Sequence, residues 1–430
     1  MTARGVWLAA ASTLWCPWAL CGAQNQGPTP ETLIQRGLMA LQSRDVPAAQ
    51  RLLERAVESA PTDARAWIGL AHTYQMLNLH AEAARHATEA ERVGRDNPVI
   101  QHALAMFYSD YRDWARAAEW EERYARKAGD TDAYIRAVSL YLQADMPRRA
   151  AALGESALEM AATPALNNLL GKAYTMAGEV EKGLQHLQAA VENEPYDESL
   201  HYDLGYFHLR QQDFEAATRA FEEGRKYFDK SPALEIGLGI AAYGKREFHE
   251  AVSRFLRAAE LAPQLEQPHA FLGRLLQHAA SRIDHITERM RVFHTEHSKN
   301  HFGPFLYGQA LLAQLGTRRD EVALARIEDL LRESIEREDE FWEAHYELGV
   351  LLEKRRDFAQ AEEHLRRAAD LNPSASKPHY RLARVYQRLG KTREARQERE
   401  IHKLVVERER EAMRTGGVAE ELRMLEAGSR

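Results

Sequence analysis

A small residue returns every 33 to 35 positions along most of this chain, at Gly37, Ala71, Ala105, Val138, Gly171, Gly205, Gly239, Gly273 and Gly308, and after a longer interval at Gly349 and Ala383. A unit of that length cannot bury an apolar face by itself, so its copies must stack on one another. Twelve positions after most of these anchors comes a second small residue: Ala49, Ala83, Ala117, Ala150, Gly183, Ala217, Ala251, Ala361 and Ala395. Two helices meeting at such residues can cross with their backbones close. A third alanine often follows seven residues later, as at Ala56, Ala90 and Ala190. Large apolar residues flank the anchors at helical spacing, for example Trp67, Leu70 and Tyr74, and Pro61, Pro195, Pro263 and Pro373 close the second helix. No useful length of strand-like alternation interrupts the pattern, and the chain reads as all-α.

The clearest copies are LGKAYTMAGEVEKGLQHLQAAVENEP from Leu170 and LGVLLEKRRDFAQAEEHLRRAADLNP from Leu348. This pattern resembles the tetratricopeptide repeat family over about eleven units and roughly 85 per cent of the chain. The resemblance implies a right-handed superhelical solenoid of helix-turn-helix repeats. Its first helices would line a concave groove that binds peptides or partner proteins. Carried onto this sequence, the groove register of the family marks His102, Met106, Asn168, Lys172, Tyr202, Tyr206, Ile236, Ile240, Tyr243, Phe302, Phe305 and Tyr346. Aromatic and methionine side chains give large contact area at small entropic cost, as interface anchors do. Some family members bind C-terminal carboxylates through lysine and asparagine in successive units. Asn168 and Lys172 start such a pattern, but Asp132, Ile135 and Ser139 before them and the tyrosines after them do not continue it.

Two units depart from the pattern. The eighth, from about Glu266 to Asn300, has His285, Arg289 and Val292 where small or apolar residues are expected, and the ninth is stretched by a charged segment around Leu331 to Glu340. The eighth also holds a run of histidines from His278 through His285 to His294, His297 and His301. On one unbroken helix the last three would lie within a narrow arc, so they are weak candidates for a metal site in a metal- or ligand-binding accessory protein, the alternative function.

The domain reading is a signal peptide over 1–23, a polar linker over 24–29, the repeats over 30–396, and a charged capping helix and tail over 397–430. Arg4 followed by an uncharged apolar run from Gly5 to Leu20, with small residues at Cys21–Gly22–Ala23, has the form of a secretory signal. The chain is accordingly expected to be exported, periplasmic or secreted, and to meet a membrane only if that segment is retained or lipidated. Cys16 and Cys21 are the two cysteines and both fall within it, which leaves the remainder without thiol chemistry. The net charge of −7, with both signs interspersed, gives no basic stripe for nucleic acid.

Motifs of catalysis are absent. Leu389–Gly390–Lys391–Thr392 resembles the end of a phosphate-binding loop, but Val385 stands where its first glycine is needed. No G-x-S-x-G, H-E-x-x-H or calcium loop occurs. The expectation is a non-catalytic scaffold without a cofactor, holding a protein or peptide partner in its groove.

Overall fold

The computed structural model describes residues 28–318 and 320–416. The expected signal peptide with its two cysteines, most of the linker, and the tail beyond 416 lie outside the described residues. Among those described, every regular element is helical, and none is long and apolar enough to cross a membrane. The chain forms two compact units, residues 1–153 and 154–430.

In the first unit α1 (Pro30–Gln42) packs on α2 (Val46–Ser59), α3 (Ala64–Met76) on α4 (His80–Gly94), and α5 (Pro98–Asp110) on α6 (Trp114–Ala128). After them comes α7 (Thr131–Gln143), and the boundary at 153/154 falls within α8 (Pro147–Leu158). In the second unit α9 (Pro164–Ala177) packs on α10 (Val180–Asn193), α11 (Glu198–Arg210) on α12 (Phe214–Arg225), and α13 (Pro232–Gly244) on α14 (Phe248–Leu261). They are followed by α15 (Glu266–Arg274), α16 (Ile283–Glu296), α17 (Phe302–Leu315) and α18 (Glu321–Arg337). The pairs α19 (Trp342–Lys354) with α20 (Phe358–Leu371) and α21 (Ser376–Arg388) with α22 (Thr392–Gly416) complete the unit. First helices of consecutive pairs touch as well, α9 with α11 and α11 with α13, and further along α19 with α21.

Local chemistry sets where each helix starts and stops. Side chains of Asp63, Asn97, Thr163, Asp197 and Ser231 accept backbone N–H groups at the first turns of first helices. Asp45, Asp113, Asp213 and Asp357 do the same for second helices. Each such cap contributes about 1 kcal/mol. The turn between the two helices contains one left-handed residue seven positions after the anchor: Arg44, Asn78, Arg112, Asp145, Gly178, Gln212, Arg246, Arg356 and Gly390. Its N–H and that of the next residue close onto carbonyls of the helix just ended, as Arg112 N does on Ser109 O and Asp113 N on Tyr108 O.

The small residues meet as their spacing requires. A β-carbon on Gly183 would stand 3.0 Å from the Gly171 carbonyl oxygen, so α9 and α10 cross with backbones in contact. The alanines at the equivalent position, from Ala49 to Ala395, are fully buried.

A column of side chains four positions before the anchors, buried at all but Trp67, ties five of the first helices to the turn that precedes each. Trp67 Nε1 donates to Pro61 O (2.9 Å), Gln101 Nε2 to Arg95 O (2.7 Å) and His201 Nε2 to Pro195 O (2.9 Å). His345 Nε2 donates to Asp339 O (3.1 Å) and His379 Nε2 to Pro373 O (3.3 Å). In all five the acceptor lies six residues earlier, so one staple is made by three side-chain types. Each pairs a turn carbonyl that no helix bond satisfies.

The eighth and ninth units differ as the sequence indicates. α15 spans only nine residues and gives way to two short 3₁₀ turns before α16. The core positions of α16 are Ile286, Met290 and Phe293, so the register has slipped by one from the anchor spacing and His285 is left outside, 3.3 Å from Glu260. α18 is lengthened to 17 residues and buries Ile327, Leu330, Leu331 and Ser334. α22 runs unbroken for 25 residues, straight through the expected boundary at 396/397.

Candidate functional site

The first-helix face of the second unit is where the sequence placed most of its binding residues. Tyr202 and Tyr206, one turn apart on α11, stack with ring centroids 6.3 Å apart and planes inclined by 7°, and Tyr202 leans on the Phe221 ring. Both are half-buried. Beside them Asp203 accepts from Asn168 Nδ2 (2.8 Å) and pairs with Lys172 Nζ (2.6 Å), locking α9 to α11. Asn168 and Lys172 therefore serve a shared internal partner, and the sequence reading missed Asp203 as the residue that organises them. The same geometry recurs further along: Gln309 Nε2 donates to Glu347 at 3.4 Å, and Arg381 NH1 donates to Glu353 at 3.1 Å. In all three the later residue lies two positions before its anchor, a spacing that could have identified these ladder residues in the sequence.

Other candidates part company with that face. Ile236, Ile240 and Phe305 are 2, 0 and 5 per cent exposed and belong to the core of the second unit, which corrects the expectation that they line a groove. For Ile236 and Ile240 the reason is local: glycines at Gly237 and Gly239 bring α13 so close to Phe221 and Phe255 that its apolar side chains are enclosed, while Phe305 is covered by Phe302 and Phe341. Phe302 packs edge-on against Phe305 and tilted on Phe341, while Tyr243 meets Phe248 edge-on, whose ring lies 4.0 Å from that of His278. Tyr346 is half-buried with its hydroxyl engaged by Arg381. In the first unit His102 Nδ1 sits 2.8 Å from the buried Glu121 carboxylate, which also receives Arg136 Nε at 2.7 Å, and Met106 lies partly buried one turn on.

The three histidines weighed as metal ligands go separate ways. His294 turns toward Glu333 and Tyr307, His297 closes on Phe293 O and the Phe293 ring, and His301 sits among Phe302 and Phe341. α16 ends at Glu296, so the unbroken helix that would have aligned them does not exist. Among the described residues no three His, Cys, Asp or Glu side chains gather to hold a metal ion.

Tetratricopeptide repeat models match residues 40–107, 202–266 and 342–375. The chain belongs to the tetratricopeptide repeat family. The matched segments fall in both units and include the Tyr202–Tyr206 pair, and the family assignment makes the protein a scaffold for protein–protein interaction. No curated protein matches the sequence. Solved structures similar to this tetratricopeptide repeat protein include the APC/C hetero-tetramer Cut9–Hcn1 at 12% identity and a TM-score of 0.41, covering 92% of this chain and 96% of that one. Yeast Tom70 is similar at 14% identity and a TM-score of 0.41, covering 93% and 95%. Naa15/Naa10 bound to HypK-THB is similar at 14% identity and a TM-score of 0.41, with 87% of this chain and 63% of that chain covered.

Proposed function

We propose that the first-helix face of the second unit, centred on Tyr202 and Tyr206, captures an apolar-bearing segment of a protein partner, either extended or an amphipathic helix. The observation that carries this is the parallel tyrosine pair, seated on Phe221 and bordered by the Asn168–Asp203–Lys172 cluster. Two planar rings held by packing lose little freedom on binding, which is how aromatic anchors contribute affinity. The repeats hold their places by apolar contacts and, in five of them, carbonyl staples, and the reading assigns the chain no reaction. An exported location is part of the proposal and rests on Arg4 and the apolar run from Gly5 to Leu20. The test is partner capture by the wild type and by Tyr202→Ala/Tyr206→Ala, with helicity and melting compared in parallel.

A further inference from the structure

α21 carries Lys377, Arg381, Arg384 and Arg388 and no acidic residue. Spaced at four, three and four positions, these cations share one face of the helix, together with Tyr380. Lys377, Arg384 and Arg388 are exposed, and Tyr380 is 47 per cent exposed. The face is ordered as well as charged. Glu353, nearly buried on α19, pairs with Arg381 at 3.1 Å and with Arg384 at 3.2 Å, and the Arg384 guanidinium lies 5.8 Å from the centre of the Tyr380 ring. One carboxylate thus holds two guanidiniums. Three acids of α22 are engaged elsewhere: Glu398 with His379, Glu409 with the N–H of Ser376 and Glu400 with Lys403. On α19 the exposed Lys354 adds a further cation, and burial pushes the Glu347 carboxyl toward its neutral form.

We propose that this basic face of α21 binds an acidic segment of the protein partner, read through side-chain carboxylates with Tyr380 as an apolar floor. The proposal rests on the reading that the first-helix face is the interaction surface. Lys377 to Arg388 spans about 16 Å of helix, the reach of about five residues of extended peptide. That footprint fits a short acidic segment, whereas a nucleic acid runs on past it along a chain whose net charge is −7. Guanidiniums already set in place by Glu353 meet carboxylates in the planar, two-bond geometry that arginine favours.

The experiment uses the whole chain and fluorescence anisotropy of a labelled peptide of about ten residues, rich in glutamate with one tyrosine, acetylated and amidated so that only side-chain carboxylates are presented. Its counterpart has glutamine for every glutamate. The acidic peptide is expected to bind, to weaken steeply with salt, and to lose about ten-fold in affinity in Lys377→Gln/Arg388→Gln. These two exposed positions leave the Glu353 pairs intact, and melting checks the fold. Tyr202→Ala/Tyr206→Ala should leave this peptide's binding unchanged. Equal binding of both peptides, binding of neither, or tighter binding of oligothymidylate of matched charge overturns the assignment. Should partner capture still depend on Tyr202 and Tyr206 in that case, the interaction face stands and the acidic chemistry alone falls.

Discussion

Gly205 and Phe221 stand sixteen residues apart in the chain and meet where α11 crosses α12: a β-carbon on Gly205 would overlap the Phe221 ring. The relation repeats at the same separation in Gly171 with Leu187, Gly239 with Phe255 and Gly349 with Leu365. Phe221 is closed in from the far side too, because a β-carbon on Gly237 of α13 would come within 2.5 Å of its ring. Gly205→Ala should therefore destabilise the second unit. The helix-propensity gain of about 1 kcal/mol is outweighed by an overpacking cost of about 1–3 kcal/mol in a ring with no room to yield. Denaturant melts should show the loss, and Phe221→Leu added to Gly205→Ala should recover part of it.

The turns between helices supply a prediction of opposite sign. Arg112 and Arg246 hold φ of 61° and 62°, where an L side chain is strained and glycine is not. Arg112→Gly and Arg246→Gly are each expected to stabilise by about 0.5–1 kcal/mol. Lying in different units, the two effects should add, and a melt of the double variant checks this.

The His345–His364 pair makes stability depend on acid. Their Nδ1 atoms lie 3.0 Å apart, and His345 Nε2 must carry a proton to donate to Asp339 O. The neutral pair therefore works with His364 Nδ1–H as donor and His345 Nδ1 as acceptor. Burial lowers both, His364 to about 4, with the His345 ring adding to the effect and Arg332, Arg367, Glu328, Glu363 and Asp339 as the other charged groups around the pair. Between an unfolded value of about 6.5 and the folded value of about 4 the unfolded chain binds more protons, so stability is lost as pH falls through that range. His364→Gln, which can donate without titrating, should flatten the fall in melting temperature over the same range.

His379 occupies the same column but shows the reverse behaviour. Its Nδ1 lies 2.7 Å from Glu398, and that hydrogen bond raises its pKa against the opposing effect of burial. Its contribution is present below the unfolded value of about 6.5 and is lost as pH rises through the raised folded value. Glu398→Gln should remove this alkaline-side loss while leaving the acid-side loss from His345 and His364 in place. Melts of the two variants across pH separate the two pairs.

The small-residue anchors made the helix pairs legible, because a missing side chain is a local necessity wherever backbones cross. The left-handed turns were not, since only Gly178 and Gly390 among them use glycine and the rest hide the same φ behind Arg, Asn, Asp or Gln. The slipped register of α16 was visible only as His285 in a wrong place, because 3₁₀ turns change the count without leaving a motif. Of the groove candidates marked by the family register, Tyr202 and Tyr206 stay half-buried on α11, whereas Ile236, Ile240 and Phe305 satisfied that register and still belong to the core. Exposure is decided by the neighbouring helices and not by spacing alone. The basic face of α21 needed the structure, since the same four cations read linearly are an ordinary charged helix.

The central claim is that the tyrosine pair captures a partner. The chain from Gln24 onward and its Tyr202→Ala/Tyr206→Ala variant, immobilised side by side, would be offered extract of the native host, with retained proteins identified by mass spectrometry. A variant of unchanged helicity and melting that loses a protein the wild type retains is the predicted result. The same proteins retained by both forms, or by neither, would contradict it, and a large loss of stability would show that the pair belongs to the core.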